Sequence, residues 1–126
     1  MRIAKYLLAT RWLSAQLSVA MALAATSAMA AGAVATSPDR SVIFWSTHKS
    51  SVARATEAAM GNCTARFGKC TLDRTFNSGC LGVARSPGKP VWGFAVRPSK
   101  DEARLAAIGQ CAQNGASCEI KAVSCE

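Results

Sequence analysis

The chain has 126 residues, 50% of them apolar, and a net charge of +8 from 15 Lys and Arg against seven Asp and Glu. This length holds one small domain and excludes a multidomain enzyme. Position matters more than the totals: residues 1–30 hold 21 apolar and three basic residues but no acidic one, which leaves 96 residues with 12 basic side chains, seven acidic ones (net +5) and all six cysteines.

The amino-terminal segment comes first. Arg2, Lys5 and Arg11 precede the apolar stretch Trp12 to Ala25, and Ala28-Met29-Ala30 supplies small residues at both positions a signal peptidase reads. Ser14, Gln16 and Ser18 interrupt the stretch, and it is shorter than the roughly 20 apolar residues a spanning helix needs. The expected product is cleaved after Ala30, starts at Ala31 and keeps no membrane span. Its expected location is the bacterial periplasm or the exterior. Residues 31–126 then form a single domain.

That domain contains an internal repeat. At a shift of 49, Val34, Ala35, Ser37, Pro38 and Val42 lie over identical residues, Val83, Ala84, Ser86, Pro87 and Val91. After a one-residue slip the shift becomes 48, and Ser51, Ala55, Ala58, Ala59, Gly61, Cys63 and Cys70 lie over Ser99, Ala103, Ala106, Ala107, Gly109, Cys111 and Cys118. Two units follow, 31–79 and 80–126. In each, a short apolar strand meets a Ser-Pro turn, Ser37-Pro38-Asp39-Arg40 or Ser86-Pro87-Gly88-Lys89, and a second strand returns, Val42 to Ser46 or Val91 to Val96. Ser51 and Ser99 then cap a helix, the latter with Glu102 completing a capping box. Val52, Ala55, Ala59 and Cys63 share one helical face, as do Ala103, Ala107 and Cys111. Cys70 to Phe76 and Cys118 to Ser124 read as closing strands. Cleavage after Ala35 would delete the first strand of the duplication, whereas cleavage after Ala30 leaves it whole.

Six cysteines in an exported domain of this size predict three disulfides, with fifteen connectivities possible. Pairings that respect the duplication are favoured: Cys63 to Cys70 and Cys111 to Cys118 within the units, and Cys80 to Cys125 as a clasp between them. A zinc site is not expected, because no Cys-x-x-Cys pair occurs and His48 is the lone histidine. Cys63 and Cys111 fall at helix carboxyl ends, where the dipole does not favour a thiolate.

His48 lies just before the first helix. A general-base role would require a nucleophile, and no Gly-x-Ser-x-Gly accompanies it, so it reads as a solvated residue. Asp101 and Glu102 fall in the first turn of a helix, where the dipole accounts for them. The basic side chains are scattered, with Arg40 and Lys89 at equivalent turn tips, and no concentrated stripe invites nucleic acid. Attraction to an acidic protein or an anionic envelope component is the better reading. Trp45, Trp92 and Phe94 read as sheet core.

The hairpin Cys80-Leu81-Gly82-Val83-Ala84 to Val91-Trp92-Gly93-Phe94, the Ala-rich helix ending in Cys111, and the return Cys118-Glu119-Ile120-Lys121 closing at Cys125 resemble the family known as domain of unknown function 4189. The resemblance covers essentially all of residues 31–126. It implies a small exported bacterial protein, with effector, inhibitor or immunity roles suggested for some relatives. Thr71 to Phe76 departs from the pattern by being more polar than a valine and aromatic run. The expected architecture is α+β: two pseudo-symmetric β-β-α-β units sharing one antiparallel sheet, with both helices on one face. The expected function is a non-enzymatic binding module without metal or cofactor, and the alternative is a thiol-dependent oxidoreductase or peroxidase-like enzyme.

Overall fold

The computed structural model describes residues 30–113 and 115–126. The expected signal peptide, up to Met29 of the Ala28-Met29-Ala30 motif, lies outside the described residues. The element order is β1 (Ala31–Thr36), β2 (Ile43–Lys49), α1 (Val52–Phe67), β3 (Thr71–Phe76), β4 (Cys80–Arg85), β5 (Trp92–Arg97), α2 (Lys100–Ala112) and β6 (Glu119–Cys125). This is an α+β fold built from two β-β-α-β units. Among the described residues no helix is long and apolar enough to cross a membrane.

The strands divide into two antiparallel sheets, β2-β1-β3 and β5-β4-β6, where one shared sheet was expected. The reason lies in the central strands, which are apolar on both faces. Ala31, Ala33 and Ala35 of β1 pack with Ala55, Ala59 and Cys63 of α1, while Val34 turns the other way. In the second unit Ala84 packs with Ala107 and Cys111 of α2, while Leu81 and Val83 turn away. A strand buried on both sides needs two covers. One is its own helix, and the other is the partner sheet. Val34, Ile43 and Phe76 meet Leu81 and Val83 there, flanked by Trp45, Trp92, Phe94 and Val96. The layers therefore run helix, sheet, sheet, helix, with the two helices on opposite outer faces.

The alanines let each helix sit close to its sheet. Gly82 and Gly93 bring the backbones closer still: an added Cβ would lie 2.4 Å from the Ala103 carbonyl oxygen at Gly82, and 2.4 Å from the Ala107 carbonyl oxygen at Gly93. Ser51 accepts the Arg54 N–H at 3.1 Å and Ser99 accepts the Glu102 N–H at 3.3 Å, so both predicted caps are formed. Val52 leaves its predicted apolar face and is 37% exposed at the first residue of α1, where burial begins only at Ala55. The polar strand β3 is exposed up to Phe76 and forms one edge of its sheet.

The bridges are Cys63–Cys70, Cys111–Cys118 and Cys80–Cys125. The first two tie the end of a helix to the start of the next strand, with Cα atoms 6.1 Å apart in both. The third joins register partners on β4 and β6, so it closes the second sheet on itself and does not clasp the units. Cys80 stands where the first unit has Ala31, and Cys125 where it has Asn77. The two were never equivalent positions in the repeat. Packing between the sheets and a few polar contacts hold the units together instead.

Ser37 N–H to Val42 O and Ser86 N–H to Val91 O, both 3.0 Å, close the two hairpins alike. In the first, the Asp39 carboxylate accepts from Ser41 Oγ, Ser41 N–H and Ser37 Oγ at 2.7, 3.1 and 2.8 Å. These bonds, led by those from Ser41, lower its pKa from 3.8 to about 2. A depressed carboxylate adds stability above its unfolded value and loses it as pH falls through its folded value. Asp39→Asn is therefore expected to flatten the decline of stability between pH 4 and pH 2, read from urea midpoints across that range; an unchanged decline would contradict the assignment.

Candidate functional site

Two regions of the seam between the sheets gather polar side chains. At the hairpin-tip end, Trp92 Nε1 donates to the Ser41 carbonyl at 2.9 Å and ties the first unit's turn to β5. A cleft of about 260 Å³ opens beside this contact, lined by Thr36, Arg40, Ile43, Asp73, Trp92 and Phe94. Thr36 is 6% exposed and its hydroxyl has no hydrogen-bond partner. Desolvation raises the Asp73 carboxyl above its ordinary value, opposed by the charge of Arg40. A second cleft, of about 440 Å³, shares Arg40, Trp92 and Phe94 and adds Gln110 of α2 and Gln113 at its carboxyl cap. The Arg85 guanidinium lies 4.9 Å from the Trp92 ring centre and covers part of the indole. Arg40 itself stands at φ 60, at the tip of the turn.

At the other end of β2 stands His48. Ala31 pairs with Lys49 and Ala33 with Ser46, so β2 carries one extra residue here, a β-bulge, and His48 adopts φ 57 within it. The second unit pairs β4 with β5 in regular register. This bulge is the physical form of the one-residue slip in the repeat. It aims His48 across the seam at the end of β6. Its N–H donates to Glu126 Oε1 at 2.7 Å, its Nδ1 lies 3.5 Å from Glu126 Oε2, and its Nε2 lies 2.9 Å from Ser124 Oγ. The imidazole is solvated, 66% exposed, whereas the Glu126 side chain is wholly enclosed.

A family model matches residues 31–125. The chain belongs to the DUF4189 family, a domain of unknown function. No curated protein and no solved structure matches it.

Within this DUF4189 domain Asp101 and Glu102 sit apart from the seam, whereas the aromatic candidates lie in it. Asp101 pairs with Arg104 at 3.1 Å and Glu102 with Ser99 Oγ at 3.0 Å, both exposed, which leaves them to helix capping. Trp45, Trp92 and Phe94 pack against the core between the sheets, and the two tryptophan rings lie 6.2 Å apart. Trp92 and Phe94 also wall the clefts, so core and surface roles coincide in them. Ser124 and Glu126 escaped the sequence reading because they lie 76 and 78 residues from His48. The signal for the contact was the slip in the repeat, which marked where the first unit carries something the second does not.

Proposed function

We propose that this DUF4189 protein is an exported, disulfide-stabilised binding module of the bacterial envelope. It engages a protein or an anionic envelope component through the seam end carrying Arg40, Trp92 and Phe94. Carrying this reading are the two clefts that meet there, concave and walled by aromatic groups, with the unpartnered Thr36 hydroxyl in one and Arg40 in both. Export is supported by the absence of free cysteines among the described residues and by β1 starting at Ala31, directly after the Ala28-Met29-Ala30 motif. An inhibitor or immunity role is the finer form of the reading: a rigid scaffold that occupies a partner's site with little loss of its own freedom. The thiol-dependent alternative finds little support, since the six cysteines are bridged and Cys63 and Cys111 are fully buried.

Residues 31–126, immobilised and exposed to periplasmic extract, are expected to retain a stoichiometric partner. Arg40→Asn removes the charge while tolerating the left-handed backbone, and is expected to weaken retention roughly tenfold without changing the melting temperature. Repeated failure to capture a partner under gentle conditions, or equal capture by the variant, would overturn the reading.

A further inference from the structure

We propose that Ser124, His48 and Glu126 form a serine-nucleophile site that hydrolyses short carboxylic esters, at the far end of β2 from the binding clefts. Four observations converge on it. The ring nitrogens face the two partners a triad needs: Nε2 lies 2.9 Å from the hydroxyl, and Nδ1 lies 3.5 Å from the carboxylate, short of a hydrogen bond but near enough for the carboxylate to orient the ring and stabilise the imidazolium. The carboxylate is prepared for that task. Oε1 is held by the His48 N–H, and Oε2 is buried with no hydrogen-bond partner, facing the imidazole alone. The base sits in a strained setting, since a histidine at φ 57 in a bulge is unusual and such residues gather at functional sites. Finally, the duplication does not require the cluster. Positions equivalent to Ser124 and Glu126 in the first unit are Phe76 and Ser78, and the second unit's β4–β5 ladder is regular, without the bulge.

The chemistry balances with water as the only co-reactant. Ser124 Oγ attacks the ester carbonyl carbon as its proton passes to His48 Nε2. The bond to the leaving alcohol breaks, and that alcohol takes the proton from the imidazolium. Water then attacks the acyl-serine carbonyl, its proton passes to Nε2, and Ser124 leaves with that proton as the carboxylic acid is released. Glu126 touches no substrate atom and acts as a positioning residue. Substrate class follows from the neighbouring cleft of about 500 Å³, lined by His48, Lys49, Ser50, Arg54, Glu57 and Asn62 among others. Lys49 and Arg54 outweigh the single carboxylate of Glu57 there and favour an ester that also carries an anionic group.

The test uses the oxidised protein with a fluorophosphonate probe and a p-nitrophenyl ester. The probe is expected on Ser124, in the tryptic peptide of residues 122–126. Ester turnover is expected to fall at least ~100-fold in Ser124→Ala and His48→Gln, the loss typical of a missing nucleophile or general base. Glu126→Gln is expected to lower kcat while leaving KM unchanged, a split that a merely structural contact would not give. Ser124→Ala removes one oxygen from a half-exposed site and keeps the test valid if the histidine variant fails to fold. Absence of labelling, or labelling and turnover unchanged in folded Ser124→Ala, would overturn the proposal and leave the cluster as a clasp between the sheets.

Discussion

Replacing Cys80 and Cys125 together by alanine is expected to destabilise the oxidised protein by about 4 kcal/mol, against about 2.5 kcal/mol for the Cys63/Cys70 pair. The difference comes from the unfolded chain. Cys80–Cys125 spans 45 residues and Cys63–Cys70 spans seven, so the first removes more loop freedom from the unfolded state. The short bridge narrows the gap, because Cys63 is fully buried and its sulfur also fills space in the helix-facing core. For a domain of this size the long bridge's loss lowers the melting temperature on the order of 20 °C. Urea titration of the two double variants measures both effects. Equal losses would mean that the unfolded chain is already restrained between residues 80 and 125, and a larger loss for Cys63/Cys70 would place the weight on core packing. Since the bridge lies within the second sheet, its removal should loosen β6 first and leave the β2-β1-β3 sheet protected in hydrogen exchange.

Gly93→Ala is expected to cost ~3 kcal/mol, the upper range for forcing an extra carbon into a packed core. The methyl group would lie 2.4 Å from both the Ala107 carbonyl oxygen and the Cys111 backbone nitrogen. Both are main-chain atoms of a helix, so no side-chain rotation relieves the clash. The helix must retreat, and retreat separates Ala107 and Cys111 from Ala84. Gly82→Ala meets the Ala103 carbonyl in the same way. Gly88→Ala is the control, because its Cβ meets nothing within 4 Å, and its effect should stay within about 0.5 kcal/mol. Equal stability of Gly93→Ala and Gly88→Ala would contradict the close seating of α2 on its sheet.

These two predictions draw on different levels of the sequence. The repeat made the hairpins, caps and buried alanine faces legible, because each rests on local spacing: Ser37-Pro38 for the turn, Ser99 with Glu102 for the cap, and Ala103, Ala107 and Cys111 for the helix face. It did not show how the units meet. One sheet and two sheets present the same local patterns, and only the double-sided burial of β1 and β4, with Val34 opposite Ala33 and Ala35, demands a second layer. The Cys80–Cys125 bridge was misplaced as a clasp for a related reason. Matching the order of cysteines in two units hid the fact that Cys80 opens a strand whereas Cys125 ends one.

The candidate sites were legible to different degrees. Arg40 and the aromatic residues could be named as features of a turn tip and a strand, but the clefts they line exist only where two sheets meet. His48 was visible as a lone histidine, and its neighbours were not, since strand endings far apart in sequence bring Ser124 and Glu126 to it. The slip from a shift of 49 to 48 was in plain view and is the bulge that turns the imidazole across the seam.

A disulfide map of the unreduced, alkylated protein tests the two-unit scaffold most directly. Trypsin cuts after Arg54, Arg66, Lys69, Arg74, Arg85, Arg104 and Lys121, which separates the cysteines into peptides that identify each bridge. The expected result joins residues 55–66 to 70–74, joins 75–85 to 122–126, closes Cys111 to Cys118 within 105–121, and leaves no alkylated thiol. A bridge from Cys63 or Cys70 to any cysteine of the second unit, or a readily alkylated Cys80, would contradict it.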